Sequence, residues 1–157
     1  MMGNRIIFIL MAILVVTTFS GCRKYTILKV YGDNPFQPHF SVESSGKSSN
    51  KMIRISSFSV SQLLDIKEGQ YKTVWHFDCF SGSGVKTKEI VYGILPEGCK
   101  ERVKMLPLEG GVVYWASGSF NKGDLSGNAN FMIFEASDNT SRLKYSYKLP
   151  EEWLKTE

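Results

Sequence analysis

Apolar residues run unbroken from Ile6 to Val16 behind a short polar start carrying Arg5, and the chain never repeats such a run. From residue 23 on, short stretches alternate apolar and polar positions between clusters of Gly, Pro, Asn and Asp, which predicts strands and turns. Tyr25–Tyr31 predicts a first strand or an extended lead-in, closed by Gly32-Asp33-Asn34-Pro35, and Ser41–Asn50 a loop or at most a ragged hairpin. Lys51–Val60 predicts a half-buried strand whose phase slips once, as at a bulge. Val60–Asp65 suits a single helical turn or a loop. Tyr71–Phe80, bulky on both faces, predicts a central strand, with Ser81–Gly84 turning into Val85–Tyr92 as its hairpin partner. Past a turn at Pro96-Glu97-Gly98, strands are expected at 102–106, 112–120, 130–134 and 142–149, separated by Pro107–Gly111, Asn121–Asp124 and Ser137–Thr140. Only Leu149–Lys155 suits a helical turn.

Short strands at this spacing, with no long helical period, argue for an antiparallel sandwich. Leu108, Gly111 and Tyr114 form L-x-x-G-x-x-Y, which resembles the tyrosine corner of immunoglobulin-like and fibronectin type III domains. That resemblance implies a Tyr114 hydroxyl bonded to backbone upstream. Trp75, in the expected central strand, suits the large core aromatic of such domains. The expected fold is therefore all-β, an antiparallel immunoglobulin/fibronectin-III-like β-sandwich of about seven to nine strands; a small barrel or another antiparallel sandwich is the alternative.

The apolar run at the start changes the picture of compartment. It narrows through Thr17, Thr18, Phe19, Ser20 and Gly21 to Cys22, and Phe19-Ser20-Gly21-Cys22 resembles the bacterial lipobox, with Phe where Leu is usual. The resemblance implies cleavage before Cys22 and lipidation of its thiol and new amino group. A membrane-spanning helix needs about 20 apolar residues, and this run is little more than half of that. Ordinary secretion is the other reading, but the small residues end at Cys rather than at an Ala-x-Ala site. Arg23 stands where inner-membrane retention calls for Asp, which implies the periplasmic face of the outer membrane of a Gram-negative bacterium. The expected organisation is a cleaved lipoprotein signal over 1–21, a lipidated Cys and short tether over 22–34, and one β-sandwich domain over 35–157.

Cleavage removes one of 19 cations, Arg5, and none of 15 acids, leaving a net charge near +3. With Lys and Arg scattered among acids, this gives no warrant for nucleic-acid binding. Cys79 and Cys99 are the only other thiols, and an oxidising periplasm favours pairing them, against the alternative of two thiols too far apart. Neither lies in a C-x-x-C. Two histidines, His39 and His76, and the absence of G-x-S-x-G or a phosphate-binding glycine loop argue against an enzyme, and no cofactor or metal is expected. His76 and Asp78 share a strand face and suit a half-buried polar pair at a strand end.

A wider resemblance runs through Trp75, Glu89 to Gly98 and Pro107 to Tyr114. It is similar to the Trp…I-x-Y-G-x-x-P-x-G…P-L-x-x-G-x-x-Y pattern of small enterobacterial periplasmic lipoproteins described as immunity proteins of type VI secretion systems. The resemblance implies a membrane-anchored protein-binding module that neutralises a secreted toxic effector. Tyr92 and Tyr114 read as core or corner aromatics. The expected partner-binding surface is Phe80, Lys86, Lys88, Phe120 and Lys122, with capping of the core by the two Phe as the plainer reading. An accessory subunit of an envelope or secretion assembly, or a small-ligand-binding lipoprotein, is the alternative; no small-molecule substrate is expected.

Overall fold

The computed structural model describes residues 24–43, 52–65, 67–80, 84–121 and 125–154. The expected export signal with Cys22, residue Lys122, and most of the Ser41–Asn50 and Ser81–Gly84 segments lie outside them. Ten strands follow in chain order: β1 (Lys24–Tyr31), β2 (His39–Glu43), β3 (Ile53–Asp65), β4 (Gln70–Cys79), β5 (Val85–Thr87), β6 (Ile90–Val91), β7 (Cys99–Val103), β8 (Val113–Phe120), β9 (Leu125–Glu135) and β10 (Ser141–Ser146). A 3-10 turn at Glu151–Leu154 is the helical tail. The all-β class holds for the described residues.

The strands form one sheet in the order β6-β2-β1-β9-β8-β3-β4-β7, with β10 on β9 and β5 on β3. It is mixed, because β1 runs parallel to β9, Lys24 opposite Leu125 and Ile27 opposite Asn128. This corrects the expectation of a purely antiparallel arrangement. A parallel pair needs a long crossover, and here most of the domain intervenes between the two strands. The segment read as a tether, 22–34, contributes β1, whose Leu28 and Val30 are buried in the core.

Curling brings distant strands together. Phe40 of β2 and Phe58 of β3 are separated in the sheet by β1, β9 and β8, yet their rings lie 5.0 Å apart. Trp75 of β4 meets Tyr92, just past β6, at 5.3 Å. Phe77, Phe131 and Tyr114 extend the same aromatic cluster. Such pairs contribute about 0.5–1.5 kcal/mol each beyond burial. Tight curvature leaves no room at Gly118, where a Cβ would come within 2.6 Å of the Phe120 ring.

Strand phases explain who points inward. On β8 the even positions Tyr114, Ala116 and Phe120 are buried. Phe120 is 0% exposed, which corrects its reading as a partner-binding residue. Where a phase slip was expected in the half-buried strand Lys51–Val60, β3 carries three register shifts, at Ile55/Ser57 against β8 and at Leu63/Asp65 and Val60/Ser61 against β4. The latter lets Val74 join Trp75 in the core. Val60–Asp65, expected as a helical turn or loop, continues β3 because β4 supplies ladder partners as far as Asp65 and β8 as far as Gln62. β5 and β6 pair with β3 and β2 rather than returning along β4 as a hairpin; β4 takes β7 instead.

Candidate functional site

Register divides the molecule into two ends. Lys24, Phe120, Ile53 and Cys79 lie at one, where β1, β3 and β9 begin and β4 and β8 finish. Tyr31, His39, Val91 and the entry to β8 lie at the other, a strand of eight residues and about 26 Å away.

At the far end, three connections meet. Gly32 at φ +132° starts a turn in which Asn34 Oδ1 accepts from the Phe36 N–H and the Asn34 carbonyl accepts from Gln37. The Tyr92 N–H donates to the Pro38 carbonyl, tying the second connection to the first. The third carries Met105 to Gly111: the Leu106 N–H donates to Val74, and its carbonyl accepts the Tyr92 hydroxyl at 2.6 Å. Glu101 organises the approach, accepting from both the Trp75 indole and the Met105 N–H at 3.1 Å. The Tyr114 hydroxyl accepts from the Glu109 N–H at 2.7 Å, closing the corner, and Gly111 at φ +77° donates to Ile133. Burial raises the pKa of both tyrosines, so both stay neutral donors or acceptors.

Between these connections lies a cavity of about 400 Å³ lined by Asn34, Phe36, Gln37, Tyr92, Met105, Pro107 and Leu108. Its floor, Tyr92 and Leu108, is buried, while its rim is apolar and open, with Phe36 44% and Met105 38% exposed. Such a rim can receive an apolar side chain; it carries no nucleophile. Sequence reading missed Phe36 and Met105. Phe36, an aromatic set between Pro35 and Pro38, was the available signal.

Beside this end, the Tyr31 hydroxyl donates to Glu89 Oε2 at 2.6 Å and His39 Nδ1 lies 3.0 Å from the same oxygen. Burial, then the Glu89 contact, pushes Tyr31 up to about 12, and the Tyr31 and His39 hydrogen bonds hold Glu89 below its usual range.

At the near end, Cys79 and Cys99 face each other across β4 and β7 and are disulfide-bonded. Phe80 projects beyond them, 61% exposed, with the Arg102 guanidinium 5.3 Å from its ring centroid. Lys86 and Lys88 are exposed on and just past β5. Of the expected partner-binding residues, the structure thus gathers Phe80 and Lys86 at one end, while Lys88 lies between them and Glu89, whose carboxylate bonds Tyr31 and His39 of the other.

The outward face of the sheet carries Ser57, Ser59, Ser117, Ser119, Ser126 and Asn128 around a depression of about 360 Å³. His76 Nε2 pairs with Asp78 Oδ1 at 3.1 Å, and Arg102 donates to the other oxygen at 2.8 Å. These two contacts, His76 first, hold Asp78 below the usual carboxylate range. Ser59, opposite His76, shares its hydroxyl with Ser117 at 2.9 Å rather than with the imidazole. Among the described residues no three His, Cys, Asp or Glu side chains gather as a metal site. Comparison with protein families, curated proteins and solved structures returned no match.

Proposed function

We propose that the chain is a lipoprotein held at the periplasmic face of the outer membrane, and that it acts as a protein-binding module of immunity type that occupies a secreted toxic effector. The observation that carries this reading is the apolar-rimmed cavity of Phe36 and Met105, about one strand length from the point where the chain enters β1. Exposed apolar patches on small domains mark interaction sites, and a buried anchor side chain in a pocket is how protein partners gain most of their affinity. The lipid on Cys22 would hold this cavity in the compartment through which an effector must pass. An immunoglobulin-like reading of the fold draws support from the Tyr114–Glu109 corner and the buried Trp75, against which the parallel β1–β9 pair stands as a departure.

The test is rescue. Cells in which the neighbouring gene product is directed to the periplasm should survive when the intact chain is co-expressed and die when it carries F36A/M105A. Survival without the chain, or equal rescue by the variant at equal abundance, overturns the reading. Cys22→Ser should release the protein from membranes; flotation with membranes after that change contradicts the anchor.

A further inference from the structure

We infer that the near end of the domain docks on an anionic phospholipid surface, so that the anchored protein stands with the Phe36–Met105 cavity pointing away from the bilayer. The inference rests on the proposed anchor at Cys22. Only Arg23 separates that residue from Lys24, which opens β1. Two residues span at most about 7 Å, less than the Debye length of roughly 10 Å over which exposed charges act. The end of the sheet at Lys24 is therefore held within electrostatic range of the headgroups.

That end has the complementary charge. Lys86 pairs in register with Arg54 on β3. Lys100 stands opposite Asp78, whose carboxylate is already bonded to His76 and Arg102. Glu97, the exposed acid nearby, is outnumbered by the two lysines. Phe80 supplies an exposed aromatic ring of the kind that settles at the headgroup level, and Arg102 lies over it. The apolar cavity at the other end cannot reach the same membrane, because a strand length of about 26 Å lies between. Cations near an anionic surface are attracted additively and the attraction fades with salt.

The experiment reconstitutes the mature lipidated chain into vesicles of phosphatidylglycerol and phosphatidylethanolamine, or of phosphatidylcholine alone. Lysine modification by a membrane-impermeant reagent is followed by mass spectrometry, with Lys72, which sits opposite Gln62 near the far end, as the internal reference. Lys86 should react about fivefold more slowly in the anionic vesicles, the factor that the attraction of one cation implies. The protection should vanish in phosphatidylcholine and at about 1 M salt, where screening is complete within roughly 3 Å. The variants K86Q and F80S, assayed on Lys100, should lose that protection while remaining vesicle-bound through the lipid. Equal reactivity in both vesicle types, with the protein still sedimenting with them, overturns the docking and leaves the anchor standing. Failure to sediment with either vesicle overturns the anchor and the docking together.

Discussion

Where β1 begins, the side chains leaving the sheet are Phe80, Lys86 and Lys100; where it stops, they are Phe36, Met105, Leu106 and Pro107. The same strands build both ends, so the contrast comes from the connections. One end is tied covalently, by Cys79–Cys99, and spends its exposed surface on cations. The other is tied by tyrosine hydroxyls and backbone amides, which bring loops distant in sequence around an open cavity. On the proposed reading the charged end meets a charged surface and the apolar, hydrogen-bond-framed end a shaped partner, and separation along the strands keeps the two from competing.

Four changes break or sharpen this contrast. Trp75→Ala removes the buried ring that touches both Phe77 and Tyr92 and donates to Glu101. It should cost about 3–5 kcal/mol in denaturant unfolding and loosen both ends together; a cost below about 1 kcal/mol would deny that one core joins them. Replacing both Cys79 and Cys99 by Ala opens a link between residues 20 apart and should cost about 3 kcal/mol. Hydrogen exchange should rise on β7 and the end of β4 before it rises near Tyr114.

Tyr114→Phe and Tyr92→Phe should each cost about 1 kcal/mol, the typical net value of one hydrogen bond. They should loosen only the far end, and an unchanged unfolding midpoint for Tyr114→Phe would empty the corner of energetic meaning. The smallest effect is pH. Glu89 and Asp78 are both held below the ordinary carboxylate range, so their stabilisation is present above that range and is lost as pH falls through their folded values. Tyr31 works in the opposite sense: its contribution is intact below pH 10 and is lost as pH rises through about 12. Glu89→Gln should remove the acid-side loss beside the far end, and Asp78→Asn that at the near end, as read by thermal unfolding across pH.

Strand positions were legible wherever alternation or aromatic density was strong, as in β4 and β8. The corner was legible because Leu108, Gly111 and Tyr114 need a fixed local spacing to close it. Val60–Asp65 was not, since Ser61 and Gln62 are strand only because β4 and β8 pair with them on either side, and β4 alone carries the strand on to Asp65. β2 was hidden by its Ser- and Lys-rich continuation, and the β5 and β6 pairings by a turn that suggests a local hairpin. Phe120 reads as a turn-flanking surface residue unless its phase with Tyr114 and Ala116 is followed inward. Of the cavity only Phe36, set between two prolines, left a signal: Phe36 and Met105 lie far apart in the chain, and only the curl of the sheet brings them together.

The most direct measurement places a photo-crosslinking residue at position 36 or at position 86 of the full chain in living cells whose envelope also contains the neighbouring gene product. A two-ended domain predicts protein adducts from position 36 and lipid adducts from position 86. Lipid adducts from 36, or protein adducts from 86 with none from 36, would contradict it.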